Sequence, residues 1–240
     1  MRAFVAQLSA ELRMTLTRGE SLLLTLGIPL SLLVFFSLVK VIDTGTDDPV
    51  QFLAPSTIAL AVISMAMTGV AIATAFEREY GVLKRLATTP LGRPRLIGAK
   101  IASIICVQII QVIALTVAAL VLGWSPDQSG WPSAIAALLL GTVAFAGLGL
   151  LMAGTLRATV ALAAANGLYI LLLLISGIVV PLERFPSPMR SVVRLLPSTA
   201  LVEVVRGSLG ADTVPGRAWV VLAVWAAGAV AAAIRWFRWE

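Results

Sequence analysis

The residues of this chain best suited to engage another molecule lie together in Glu77-Arg78-Glu79-Tyr80-Gly81-Val82-Leu83-Lys84-Arg85-Leu86, continuing through Ala87-Thr88-Thr89-Pro90-Leu91-Gly92-Arg93-Pro94-Arg95. This is the most charged island in the sequence, and long apolar runs flank it. Val82, Leu83 and Leu86 beside Lys84 and Arg85 would give a short helix an apolar knob with a charged rim. That chemistry suits docking in a groove on another protein. Glu77 and Glu79 near its start would favour the helix dipole, Gly81 would supply a bend or a close approach, and Pro90 and Pro94 would end the piece. A second reading treats the same residues as a basic loop that only anchors topology.

Covalent and acid–base chemistry has few carriers here. There is no histidine, which removes His general bases, Ser-His-Asp triads and His metal ligands. The one cysteine, Cys106, lies inside an apolar run, so neither an intrachain disulfide nor a cysteine metal cluster is expected. The sequence has no G-x-x-x-x-G-K-[ST] phosphate loop, no zinc-protease helix and no G-x-S-x-G elbow. Carboxylates are missing from the depths of the apolar runs, so a proton or sodium relay lacks its usual residues. The lysines lie at the edges of those runs, away from where a serine–lysine pair would work. An enzyme is therefore not expected.

The elements that must position the island are membrane helices. Of 240 residues, 59% are apolar and 12% charged, and the mean hydropathy is +0.99. A soluble domain has polar loops and faces that this composition cannot supply. The net charge of +6 does not mark a nucleic-acid binder, because the basic residues cluster at the ends of apolar runs.

Residues 1–20 place Phe4, Val5, Leu8, Leu12 and Leu16 at helical spacing among Arg2, Gln7, Glu11, Arg13 and Arg18, an amphipathic helix for the membrane interface rather than a cleaved signal peptide. A single membrane domain over 21–240 then carries six expected spans, at 21–42, 52–76, 96–122, 133–156, 159–180 and 218–234. Pro29 interrupts the first span, Lys40 can snorkel from its end, and an acidic turn at 43–49 follows. Gln108 and Gln111 lie one turn apart on the third span and Asn166 sits in the fifth. Each has two readings, an interhelical hydrogen bond or a contact in a substrate path, with packing favoured. Prolines 181, 186, 188, 197 and 215 punctuate residues 181–216, and the two amphipathic pieces between them, 189–196 and 198–209, are too short to span. They are expected as re-entrant or surface helices.

Six spans put both ends on one side. That side carries Arg2, Arg13, Arg18, Arg78, Lys84, Arg85, Arg93, Arg95, Lys100, Arg157, Arg235 and Arg238, and the other only Lys40, Arg184, Arg190, Arg194, Arg206 and Arg217. The bias is two to one and places the termini and the island in the cytoplasm. The arginines of 181–216 dissent, partly balanced by Glu183, Glu203 and Asp212.

The island, with Thr88-Thr89-Pro90-Leu91 behind it, resembles the E-R-E-x-G-T-L-x-x-L…T-P-L signature of type-2 ATP-binding-cassette (ABC) exporter permeases, with Val82 where Thr is frequent. Pro186, Pro197, Thr199, Arg206 and Gly207 are similar to that family's P…P-x-T…R-G pattern, and the likeness covers the whole chain. The resemblance implies an all-α integral membrane protein with six transmembrane helices and an N-terminal interfacial helix. It makes 77–91 a cytoplasmic coupling helix between spans 2 and 3, and 181–212 an external re-entrant segment. It further implies a non-catalytic half-permease that pairs with a second permease, identical or not, and docks a separate ATPase through Glu77, Arg78, Glu79, Gly81, Val82, Leu83, Lys84, Arg85 and Leu86. ATP and Mg would be bound by that ATPase. Small forms resemble bacterial drug and antibiotic exporters of the cytoplasmic membrane, and polysaccharide and lipid exporters share the fold. The alternative from the residues alone is a membrane anchor or assembly factor that recruits a cytoplasmic protein through the same island.

Overall fold

The structure, a computed structural model, describes residues 2–17, 19–39, 48–87, 92–178, 181–210 and 213–238. It is an all-α membrane protein, with no strand among the described residues. The helices are α1 (Arg2–Thr17), α2 (Gly19–Leu38), α3 (Pro49–Ile63), α4 (Val70–Glu79), α5 (Val82–Ala87), α6 (Arg93–Val121), α7 (Trp131–Thr155), α8 (Ala158–Ile175), α9 (Ser187–Val193), α10 (Pro197–Leu209) and α11 (Gly216–Trp236). A π-helical turn, Ser64–Gly69, joins α3 to α4 into one rod. Among the described residues five pieces are long and apolar enough to cross a membrane: Pro49–Glu79, Pro94–Val121, Gln128–Thr155, Ala158–Ile175 and Gly216–Trp236. The expected first span is a continuous helix through Pro29 to Leu38, and its described apolar part is Gly27–Leu38. Lys40 and positions 43–47 of the acidic turn lie outside the described residues.

Prolines start these helices more often than they break them. Pro49, Pro94, Pro132, Pro188 and Pro197 all fall in a first turn, where a missing N–H costs nothing. Asp48 caps α3 by accepting from the Val50 N–H at 3.3 Å. The fifth span is shorter than expected. α8 ends at Ile175 because Ser176 leads into Gly177, whose φ of +79° is left-handed and cannot continue a helix; positions 179 and 180 of that expected span lie outside the described residues.

α7 is the central post, packed by α11, α4, α10 and α3. Its glycines permit this. A Cβ on Gly147 would lie 2.8 Å from backbone atoms of Ala229 and Val230, and one on Gly149 would lie 2.6 Å from Met67 O. Only hydrogen fits at either site, so α11 and the π-helical turn approach α7 backbone to backbone. α10 is almost wholly buried against α7, α3 and α11, which makes it part of the packed body.

Candidate functional site

The island folds as an elbow rather than one helix. α4 runs to Glu79, so Glu77 and Glu79 close the second span instead of opening the coupling helix. This corrects the expected helix over 77–91: the N–H groups of Tyr80 and Gly81 fold back onto Phe76 O and Arg78 O at 2.9 and 3.0 Å. Gly81 takes φ +73°, a conformation that L side chains rarely adopt, and α5 then starts at Val82. Thr88, Thr89, Pro90 and Leu91 lie outside the described residues.

The side chains divide between two directions. Leu83 is fully buried in the main core and Leu86 packs half-buried against it. The expected knob of Val82, Leu83 and Leu86 is therefore corrected, since Leu83 is an internal anchor. Tyr80, 73% exposed, and Val82, 39% exposed, are the apolar residues facing outward. Glu79, Lys84 and Arg85 are exposed around them. The Tyr80 ring stacks on Phe76 with centroids 6.0 Å apart, which steadies it.

Beneath the elbow lies a buried ionic cluster. Lys100 of α6, only 4% exposed, has its Nζ 2.7 Å from Glu77 Oε2 and 2.8 Å from Glu11 Oε1. Gln7 Nε2 donates to the same Glu11 oxygen at 2.8 Å. A charge so buried needs partners, and here they come from α1 and α4. α1 thus turns Gln7 and Glu11 into the protein, while Val5 is exposed. Arg78 donates through Nη2 to Leu156 O at the end of α7, and Phe237, at the end of α11, seats on Gly154. One end of the bundle is tied to the elbow through these contacts.

The three weaker path residues do not come together. Gln108 is buried and accepts from Thr142 Oγ1 across the α6–α7 interface, on the wall of a groove of about 450 Å³ lined by Ile109, Ile113, Leu138 and Trp131. Gln111 is buried on α6, and Asn166 is exposed on α8, away from that groove. The Glu11–Lys100 link has no signal in the sequence beyond Lys100 itself, a lysine at the edge of an apolar run whose burial calls for a carboxylate partner. Arg206 was matched only as a motif. It donates through Nη2 to Ser56 Oγ at 2.6 Å and to Gly177 O at 2.8 Å, with its guanidinium 3.7 Å from the centre of the Phe52 ring.

A search of curated proteins returned no match. The family model described as ABC-2 type transporter matches residues 2–209, which takes in α1, the elbow, the central post and α10. By that match the chain belongs to the ABC-2 type transporter family, as a multi-pass permease component.

Proposed function

We propose that this chain is the membrane subunit of an ABC exporter that moves a hydrophobic or amphiphilic compound, such as a drug, antibiotic or lipid, across the bacterial cytoplasmic membrane. ATP hydrolysis takes place in a separate ATPase that docks on the elbow, and this chain performs no catalysis. Two permease subunits pair to form the path, and six spans leave both termini cytoplasmic, following the two-to-one bias of basic residues. The observation that carries the reading is the division of the elbow. Tyr80 and Val82 face outward while Leu83 is locked in the core and Glu77 is paired with Lys100. A load applied to the outer face would pass through short rigid contacts to α4, α6 and α1.

The test is co-purification with the ATPase, comparing wild type with Glu79→Arg and Gly81→Pro. Glu79→Arg reverses an exposed charge, and Gly81→Pro forbids the positive φ of the elbow. Both variants are expected to insert in the membrane and to lose ATPase activity that responds to transport substrate. Unchanged coupled activity in both would refute the docking role, and ATPase capture without any transport would favour the membrane anchor.

A further inference from the structure

On the side opposite the elbow, Arg190, Arg194 and Arg217 gather around α9. Met189 and Val192 on α9 and Leu195 in the turn after it recur every third residue and are 39, 66 and 64% exposed, while Val193 is buried beneath them. Arg190 Nη2 donates to Phe185 O at 3.1 Å. Arg194 Nε lies 3.6 Å from Glu203 Oε1, and Arg217 Nη2 reaches both oxygens of Glu203 at 2.7 and 2.9 Å. Two guanidiniums therefore share one carboxylate, and these three described side chains sum to one positive charge.

The depth of α9 is fixed by α11. Trp225 Nε1 donates to Leu195 O at 2.9 Å. Trp225 is eight residues beyond Arg217 on the same helix, about 12 Å along its axis at 1.5 Å per residue. The hydrocarbon of one leaflet is about 15 Å thick. Leu195 thus lies beside the middle of a membrane-crossing helix, whereas Arg194 reaches back to Glu203 and Arg217 at that helix's start. An apolar edge at hydrocarbon depth below guanidiniums at headgroup depth is the layout of a lipid-facing amphipathic element.

We propose that α9 and this arginine group form a binding site for an anionic phospholipid. The acyl chains lie along Met189, Val192 and Leu195, and the phosphate is held by Arg194 and Arg217 with Arg190 beside them. Guanidinium matches phosphate geometry with paired donors. Every phospholipid offers a phosphate, but a zwitterionic headgroup also brings an ammonium to a site that is already positive. The surplus charge therefore selects lipids of net negative charge, and the proposal holds whatever the exporter carries.

The experiment is native mass spectrometry of the detergent-purified protein with an equal mixture of phosphatidylglycerol and phosphatidylcholine. Wild type is expected to retain phosphatidylglycerol preferentially. Arg190→Gln with Arg194→Gln should lower its retention about thirtyfold, as two basic contacts near a membrane surface would predict. Arg190→Lys with Arg194→Lys, which keeps the charge, should retain the preference, and Val192→Ser with Leu195→Ser should weaken both lipids. Equal retention of the two lipids by wild type, or full preference in the Gln pair, overturns the proposal. So does efficient cross-linking of Val192→Cys between two copies in a Cys106→Ser background, which would assign this face to a second copy of the chain.

Discussion

At the elbow end of the bundle a lysine is buried between two carboxylates, each from a different helix, whereas at the opposite end Arg206 is held by a hydroxyl, a carbonyl and an aromatic ring. Both sites join three elements, but they resist movement differently. Lys100, Glu11 and Glu77 tie α6, α1 and α4 by charge, so separating any one leaves an uncompensated ion out of water. The described contacts of Arg206 join α10 to α3 and to the turn after α8 through neutral partners. The far end also carries neutral bonds, Asp127 N–H on Leu209 O at 2.8 Å and Ser133 beside Ser208 at 2.8 Å, next to the ion pairs of Glu203 with Arg194 and Arg217. Hydrogen bonds between neutral groups exchange for water at smaller cost than a buried ion pair. The two sites thus differ in how a cation is answered, by carboxylates around Lys100 and by neutral acceptors around Arg206.

Removing the lysine is the strongest way to break this comparison. Lys100→Met removes the buried cation that Glu11 and Glu77 share, and about 3–5 kcal/mol of stability is expected to be lost. Thermal unfolding in detergent measures it. Adding Glu11→Gln and Glu77→Gln to Lys100→Met should restore most of the loss, because no charge then remains to be satisfied. If the triple variant is as unstable as the single one, packing rather than charge holds this end together.

Arg206→Gln tests the other end. It removes two hydrogen bonds to a charged donor and the contact with Phe52, and about 2–3 kcal/mol is expected. The predicted ranking is therefore Lys100→Met above Arg206→Gln in the same unfolding assay. A reversed ranking would place the stronger clamp opposite the elbow and undo the contrast.

Much of this architecture was legible because apolar runs of membrane length have few alternatives. The second, third, fourth and sixth spans appear as helices near their expected bounds. What escaped was tertiary. Glu77 was read as the start of a helix because local charge patterning shows only local dipoles, while its true partner, Lys100, lies 23 residues away. Leu83 was read as outward because a six-residue helix has too few turns to reveal which side meets the core. The π-helical turn at Ser64–Gly69 sits against Gly149 of another helix, a contact that periodicity within one segment cannot show. The island itself stood out for the same reason as the spans, because charge in an apolar chain is costly unless it has a task.

The smallest stability effect is expected where the proposed function is most sensitive, which sharpens the contrast within the elbow itself. Val82→Ser alters an outward side chain beside solvent and should change unfolding by under about 0.5 kcal/mol. Leu83→Ala, one residue on, opens a cavity in the core and should cost about 2–5 kcal/mol. If Val82 and Tyr80 form the docking face, Val82→Ser lowers ATPase capture while the fold stays intact, and Leu83→Ala lowers capture only as the protein unfolds. Measuring capture and unfolding on the same samples separates the two. Equal capture by wild type and Val82→Ser would move the docking face to the charged residues Glu79, Lys84 and Arg85, which are the other exposed side chains of the elbow.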